Sequence, residues 1–207
     1  SFTLTGTGDI NGDGRDDLLW RQGSSGYLAV WQMNGAAVGQ AGVVAQTSMN
    51  WAVAGIGDFD GNGTDDILWR ASASGALLLW KGATTGGFTD AGVFAGSDTN
   101  WSVAGIGDLN GDLRDDIVWR TNSGAYVAGW TMDGTTVTGA GVIATAESNW
   151  SIVDVADYNG DLKGDILFRS TDGYLAQWQM NGLSIGSIGV SSTPGSESCG
   201  RWANAGP

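Results

Sequence analysis

Short segments of the chain alternate apolar and polar side chains in the way that β-strands do. Residues 51–55 alternate as a half-buried strand, and residues 66–70 form a short apolar run bounded by polar residues. A turn of small residues follows in each unit, and segments such as residues 27–33 then predict a third strand. No stretch carries a capped helical period. The pattern therefore predicts an all-β chain.

The same order of segments occurs four times. Acidic segments begin at Asp9, Asp58, Asp108 and Asp157, at spacings of 49, 50 and 49 residues. A fixed period in this range is typical of propellers and solenoids. Three sets of aromatic residues keep the same register: Phe2, Trp51, Trp101 and Trp150; Trp20, Trp69, Trp119 and Phe168; Trp31, Trp80, Trp130 and Trp178.

The end of each unit predicts a hairpin and a fourth strand. Asn34-Gly35, Asp133-Gly134 and Asn181-Gly182 are dipeptides favoured in two-residue hairpin turns. Four antiparallel strands in about fifty residues make the blade of a β-propeller. We therefore predict one β-propeller-type domain over residues 1–207, built of four-stranded blades of about 50 residues. The repeats are placed at about 1–49, 50–99, 100–148 and 149–190.

Residues 191–207 form a tail whose segment 201–206 resembles the first-strand segment 50–55. This tail either seals a ring or begins an incomplete fifth blade. Four blades could close as a monomer, pair between chains or belong to a longer ring. Open blade edges also offer a route to homo-oligomers. Cys199 is alone, so it cannot form an internal disulfide, and a minor or intermolecular role is expected.

Composition narrows the function classes. The longest apolar runs fall far short of the ~20 residues that span a bilayer, so we expect no membrane span. A net charge of −13 with nine basic residues counts against nucleic acid as a partner. The absence of histidine excludes histidine-dependent triads and histidine-ligated metals. Of the 22 acidic residues, 15 lie in the four repeated loops, so the charge is concentrated at sites.

Each acidic loop places oxygen side chains at positions 1, 3, 5 and 9, with a backbone carbonyl available at position 7. Calcium takes six to eight hard oxygen ligands, and alternate residues of a curled loop converge on one ion. An EF-hand is excluded because its position 12 is a glutamate, whereas here it is Trp20, Trp69, Trp119 or Phe168. The alternative is four acidic turns that only solvate the sheet edge. The predicted calcium ligands, about four ions in all, are Asp9, Asn11, Asp13, Arg15 and Asp17; Asp58, Asp60, Asn62, Thr64 and Asp66; Asp108, Asn110, Asp112, Arg114 and Asp116; Asp157, Asn159, Asp161, Lys163 and Asp165.

The loops are predicted to differ in affinity. Position 6 is Gly14 or Gly63 in the first two loops and Leu113 or Leu162 in the last two. Leucine weakens a loop if this position is left-handed. The alternative is an ordinary backbone with the leucine packed on a neighbouring blade. Loop four also has Gly164 where the other loops have a second acid, so it is predicted to be the weakest.

Residues 105–120 carry the pattern G-x-G-D-x-N-G-D-x-x-D-D-I-x-W-R, which resembles the FG-GAP or VCBS-type repeat of integrin-like β-propellers. The resemblance runs from Phe2 to about Val190. It implies blades with a calcium ion between their first and second strands and an extracellular setting. It also implies a role in adhesion or glycan binding, sometimes as an appendage of secreted enzymes. Family propellers commonly have seven blades, whereas this chain has four copies of the repeat.

The repeated residues have expected roles that bear on the function. The calcium is expected to be structural, because each ligand set is local. The third-strand residues Trp31, Trp80, Trp130 and Trp178 are candidate ligand contacts, and their alternative is packing between blades. Arg21, Arg70, Arg120 and Arg169 are expected to pair with loop acids or stack on aromatic rings, with sugar contact as an alternative.

Of three classes of function, the first is a glycan-binding or adhesive module and the second is a protein-interaction scaffold. The third class, an enzyme, is disfavoured because the acids are committed to metal. The predicted partner is a glycan or an extracellular protein. The calcium that such local loops require predicts a secreted or cell-surface protein.

Overall fold

The computed structural model describes residues 1–191, which form four antiparallel sheets of four strands each. The predictions for Cys199 and for the strand-like segment 201–206 lie outside these residues. The described residues form two compact units: residues 1–99 with the turn 132–136, and residues 100–131 with residues 137–191. The described residues contain no helix that could span a membrane.

Every repeat contributes four consecutive strands to its own sheet. The first repeat has β1 (Phe2–Gly8), β2 (Asp17–Gln22), β3 (Tyr27–Asn34) and β4 (Ala37–Gln46), and the second has β5 (Trp51–Gly57), β6 (Asp66–Ala71), β7 (Ala76–Gly82) and β8 (Phe88–Gly96). The third has β9 (Trp101–Gly107), β10 (Asp116–Thr121), β11 (Tyr126–Asp133) and β12 (Thr136–Thr145), and the fourth has β13 (Trp150–Ala156), β14 (Asp165–Ser170), β15 (Leu175–Asn181) and β16 (Ser184–Ser191). In each sheet the strands follow chain order. The predicted all-β propeller class and its four-stranded blades are confirmed.

The register of the first two strands closes each acidic loop. A shift between Leu4 and Gly6 interrupts the β1–β2 pairing, and the other three repeats have a shift at the matching place. After the shift, Gly8 lies opposite Asp17, and Ala156 lies opposite Asp165. The acid at loop position 9 is therefore the first residue of the second strand in every repeat.

The loops are anchored in the core by their second residue. Ile10, Phe59 and Leu109 have no exposed surface, whereas Tyr158 in loop four is 44% exposed. Burying such a side chain stabilises the fold by roughly 1.5–3 kcal/mol. Three loops are therefore held to their sheets by an apolar side chain next to the first predicted ligand, and the fourth has a weaker anchor.

Candidate metal centres

The first aspartate of each loop accepts hydrogen bonds from the backbone of the same loop. Asp9 accepts hydrogen bonds from the amides of Asp13 at 2.9 Å and Gly14 at 2.7 Å. Asp157 in the last loop accepts the corresponding bonds from Asp161 and Leu162 at 3.2 and 2.9 Å. Asp58 and Asp108 accept the matching pairs in the two middle loops. All four loops therefore curl around the carboxylate at position 1.

A second hydrogen bond occurs in all four loops, from the amide at position 7 to the side-chain oxygen at position 5. The amide of Arg15 donates to Asp13 Oδ1 at 3.0 Å, and the amide of Thr64 donates to Asn62 Oδ1 at 2.8 Å. Arg114 and Lys163 donate in the same way to Asp112 and Asp161. At position 3, Asn11, Asn110 and Asn159 accept the amide of position 5 at 2.8–3.0 Å. The loop thus gathers the oxygen side chains at positions 1, 3 and 5 by local hydrogen bonds.

The acid at position 9 joins the loop to the sheet. Asp17, Asp66, Asp116 and Asp165 have no exposed surface. Asp66 accepts hydrogen bonds from the amides of Phe59 at 3.2 Å and Gly82 at 2.8 Å, and so connects loop two to β7. Asp17 accepts the amide of Met33 at 2.9 Å, and Asp165 that of Met180 at 3.0 Å.

Loop two concentrates buried negative charge. Carboxylate oxygens of Asp58, Asp60 and Asp66 lie within 4.8 Å of one another. Burial, with smaller contributions from the charges of Asp60 and Asp58, raises the pKa of Asp66 to about 7 against the hydrogen bonds from Gly82 and Phe59. Burial likewise raises the pKa of Asp17 and of Asp165. A bound cation would offset this unfavourable proximity of carboxylates.

The donor set fits a hard divalent cation. The Oδ2 atom of Asp17 and the Oδ1 atom of Asp60 are buried and have no hydrogen-bond partner among residues 1–191. The other carboxylate oxygen of Asp60 pairs with Lys81 at 3.0 Å. Buried carboxylate oxygens without a partner are costly unless an ion or a water coordinates them. All predicted side-chain donors are oxygens, which calcium and magnesium prefer.

Position 6 has a left-handed backbone in all four loops. The φ angles are +81° at Gly14, +80° at Gly63 and +66° at both Leu113 and Leu162. The leucine side chains are 74% and 72% exposed, so the alternative of leucines packed on a neighbouring blade is wrong. A left-handed residue with a Cβ costs roughly 1–2 kcal/mol. The last two loops carry this strain and the first two do not.

The two loops of the first unit are joined by a reciprocal contact. The amide of Asp65 donates to the carbonyl oxygen of Asp9 at 2.8 Å, and the amide of Asp9 donates to Asp65 Oδ2 at 2.8 Å. Burial raises the pKa of Asp65 to about 6 despite this second hydrogen bond, with contributions from the charges of Asp58 and Asp9. In the second unit Gly164 takes the matching place. Its amide donates to the carbonyl of Asp108 at 2.5 Å, and it has no carboxylate to return the contact.

Two of the second-strand arginines, Arg21 and Arg120, lie over aromatic rings, which was one of their expected roles. The guanidinium of Arg21 lies 5.0 Å from the ring centroid of Trp69, and that of Arg120 lies 5.9 Å from the ring of Phe168. Burial lowers the pKa of both arginines. These arginines therefore connect neighbouring repeats within each unit.

The third-strand tryptophans pack against the second-strand aromatic residues. Ring centroids lie 4.9 Å apart for Trp20 and Trp31 and 4.6 Å apart for Phe168 and Trp178. Trp80 and Trp178 are only 8% exposed, whereas Trp31 is 39% exposed. Burial favours the packing role for Trp80 and Trp178. Ligand contact stays a prediction that fits the exposed face of Trp31 best.

A cleft in the second unit was missed by the sequence reasoning. Its volume is about 310 Å³, and its walls combine Trp150 and Ile152 with Arg120, Ser148 and Ser151. Arg120 donates through Nη2 to the carbonyls of Gly124 at 2.8 Å and Glu147 at 3.0 Å. Its Nη1 atom is buried without a hydrogen-bond partner in the described part of the chain. The tryptophan repeated at the start of the first strand was the only sequence feature that could have indicated the cleft. The packing of the folded chain is needed to show that Trp150 is the copy that lines it.

The first unit fills the matching place with a methionine. Arg21 donates through Nη2 to the carbonyl of Ser48 at 2.9 Å, as Arg120 does to Glu147. Met49 occupies the position of Ser148, and its sulfur lies 3.9 Å from Arg21 Nη2. The small side chain of Ser148 therefore leaves space that Met49 takes up in the first unit.

Comparison with known proteins gives a family match and several similar folds. The model of the FG-GAP-like repeat matches residues 9–69, 58–119 and 108–168. No curated protein matches the chain. A lectin of Agrocybe aegerita, described by its specific recognition of non-reducing terminal N-acetylglucosamine, has a TM-score of 0.63 at 20% identity over 89% of this chain and 50% of that chain. This chain therefore spans about half the length of the lectin chain.

Two further structures are more distant. BBS1N in complex with ARL6DN has a TM-score of 0.45 at 14% identity, over 93% of this chain and 54% of that chain. The glutaminyl cyclase of Myxococcus xanthus has a TM-score of 0.45 at 12% identity, over 90% of this chain and 75% of that chain.

Proposed function

This chain belongs to the FG-GAP-like repeat family, and we propose that it is an extracellular, calcium-stabilised module that binds a glycan. The observation that carries the glycan proposal is the cleft that Trp150 and the partly buried Arg120 line together. The lectin of Agrocybe aegerita is similar in fold at 20% identity, so the proposal rests on the cleft and not on that protein's ligand.

The calcium part of the proposal assigns one ion to each loop. The side chains at positions 1, 3, 5 and 9 and the backbone carbonyl at position 7 would hold it. When bound, the ion supplies a cross-link of positive charge between oxygen donors. Asp66 would link the bound ion to the sheet, because its carboxylate also accepts a hydrogen bond from the amide of Gly82 in β7. Four ions would change the formal charge of the chain from −13 to −5.

The cleft has the two kinds of group that sugar recognition uses. The indole of Trp150 offers a flat apolar face for the CH groups of a pyranose ring. Arg120 lines the same cleft with a guanidinium that the carbonyls of Gly124 and Glu147 hold in place, and Ser148 and Ser151 add hydroxyl groups. The lining combines an apolar face with a larger number of polar groups, and placed polar groups set orientation and specificity in small-ligand sites. The proposed ligand is therefore a glycan whose ring packs on Trp150 and whose hydroxyl groups contact Ser148 and Ser151.

Filling the cleft tests the glycan site. We expect Ser148→Met to weaken binding on a glycan array by about ten-fold or more, because methionine fills the matching place in the first unit. Ser24→Met places the same side chain at another exposed serine and serves as the control. The proposal fails if wild type binds no glycan with calcium present, or if Ser148→Met binds as well as Ser24→Met.

A protein-interaction scaffold is the second candidate function. The fourth strand is an edge of its sheet in every repeat, and it exposes an apolar residue at a matching place. Val43, Val93, Val142 and Val190 are 59%, 62%, 58% and 64% exposed. Exposed edge strands can pair with another chain. Light scattering at high protein concentration tests self-association through these edges, and a 21.3 kDa particle would exclude it.

The extracellular setting and the lack of catalysis belong to the same proposal. Loops built from three carboxylates and one amide, all local in sequence, are expected to need more calcium than the cytosol contains. The acids of the loops are used for metal, so we propose binding without catalysis. Recovery of the folded, calcium-free protein from cytosol would contradict the proposed setting.

A further inference from the structure

Asp65 belongs to one metal loop and contacts the backbone of another. It is position 8 of loop two, next in sequence to the buried acid Asp66. Its amide and its carboxylate bind the carbonyl and the amide of Asp9, which is position 1 of loop one. One residue therefore exchanges two hydrogen bonds of 2.8 Å with the first predicted ligand of the neighbouring loop.

The backbone around this contact leaves room for the carboxylate. A Cβ on Gly8 would lie 2.3 Å from Asp65 Oδ2, so only glycine fits directly before Asp9. Loops three and four lack the arrangement, because Gly164 replaces the acid and keeps only the backbone hydrogen bond to Asp108. The chain thus contains a linked pair of loops and a matched pair without the side-chain link.

We infer that Asp65 is a positioning residue that makes calcium binding at loops one and two cooperative, whereas loops three and four bind independently. The inference rests on the proposed binding of calcium. An ion in loop one fixes the peptide of Asp9 and, through its two hydrogen bonds, the peptide of Asp65. Asp66 follows directly and is the ligand at position 9 of loop two, so the second ion finds its ligand already placed.

Repulsion between two dications opposes this effect. The carboxylate of Asp65 carries a negative charge that interacts with acids of both loops, Asp9 and Asp58, and it offsets part of that repulsion. The coupling transmitted by two hydrogen bonds is expected to raise the second binding constant roughly five-fold, at the low end of known couplings between sites.

Two matched variants isolate the pairs of loops. The first carries Asp112→Ala and Asp161→Ala and retains loops one and two. The second carries Asp13→Ala and Asn62→Ala and retains loops three and four. Native mass spectrometry during a calcium titration gives the populations of empty, singly loaded and doubly loaded protein. For independent sites, the product of the empty and doubly loaded populations divided by the square of the singly loaded one cannot exceed one quarter.

We expect this ratio to exceed one quarter for loops one and two, and to stay at or below it for loops three and four. Asp65→Ala in the first variant should return the ratio to the independent range, with circular dichroism reporting the fold. A ratio at or below one quarter for loops one and two overturns the inference even if that Ala variant does not fold. Two ions bound independently contradict the coupling alone, whereas no bound calcium in either variant contradicts the proposed calcium function.

Discussion

The amide of Leu113 donates a 2.7 Å hydrogen bond to Asp108 Oδ2 while its own backbone is left-handed, with φ of +66°. The contact closes loop three around its first carboxylate, and Gly14 makes the same contact to Asp9 in loop one. Leucine is therefore held in a conformation that glycine adopts without strain.

Leu113→Gly should tighten calcium binding by loop three about two- to five-fold. The substitution removes roughly 1–2 kcal/mol of left-handed strain. The conformational entropy that glycine loses on ordering offsets about half of this gain. Leu113→Ala is the control, because it keeps the Cβ and removes the same exposed side chain. Calorimetry checks the result, and equal affinities in the Gly and Ala variants would show that strain does not limit binding.

Loop four should release its ion first. It combines the left-handed Leu162 with Gly164 in place of an acid, and its anchor Tyr158 is 44% exposed. During titration with a chelator, Asp161→Ala should remove only the weakest binding step, while Asp13→Ala removes a tighter one. Native mass spectrometry follows the steps. If Asp161→Ala removes a tight step, the predicted order of the loops is wrong.

The calcium-free protein should lose stability as the pH rises from about 4 to about 7. The pKa of Asp66 is about 7 in the fold and lies near 3.8 when the residue is unperturbed, so the folded state binds more protons in this range. The stabilisation is fully present below the unfolded pKa and is lost as the pH passes the folded pKa. Calcium affinity should change in the opposite sense and fall as the pH drops below about 7.

Asp66→Asn is the matched variant for this pH dependence, since the amide resembles the protonated acid in shape. We expect thermal unfolding of the calcium-free variant to depend less on pH than that of wild type. The contribution of Asp66 is refuted if the two proteins show the same slope of melting temperature against pH.

Trp80→Ala should destabilise the fold more than Trp31→Ala. Trp80 is 8% exposed and packs on Trp69 with ring centroids 5.2 Å apart, whereas Trp31 is 39% exposed. Removing a buried tryptophan costs about 3–5 kcal/mol. Urea unfolding in the presence of calcium measures the difference, and equal losses would contradict a packing role specific to Trp80.

The repeat alone predicted the strands and the loops because both depend on local pattern. Alternating segments placed the four strands of each repeat, and Asp9, Asn11, Asp13 and Asp17 are spaced so that a curled loop gathers them. The contrast of Gly14 with Leu113 also predicted unequal loops, and the left-handed backbone it required is present.

Contacts between repeats were beyond the sequence argument. The two hydrogen bonds between Asp65 and Asp9 span 56 residues and depend on how two sheets pack. For the same reason the sequence could not distinguish the buried Trp80 from the more exposed Trp31. The consequence of having Ser148 in one repeat and Met49 in another became clear only from the structure, in which each residue lies near an arginine.

Counting calcium ions on the intact chain tests the central claim most directly. Native mass spectrometry of the wild-type protein in calcium should show four bound ions, and Asp13→Ala, which disables loop one, should show one fewer. An equal number of ions on wild type and Asp13→Ala, or no bound calcium on either, would contradict the account.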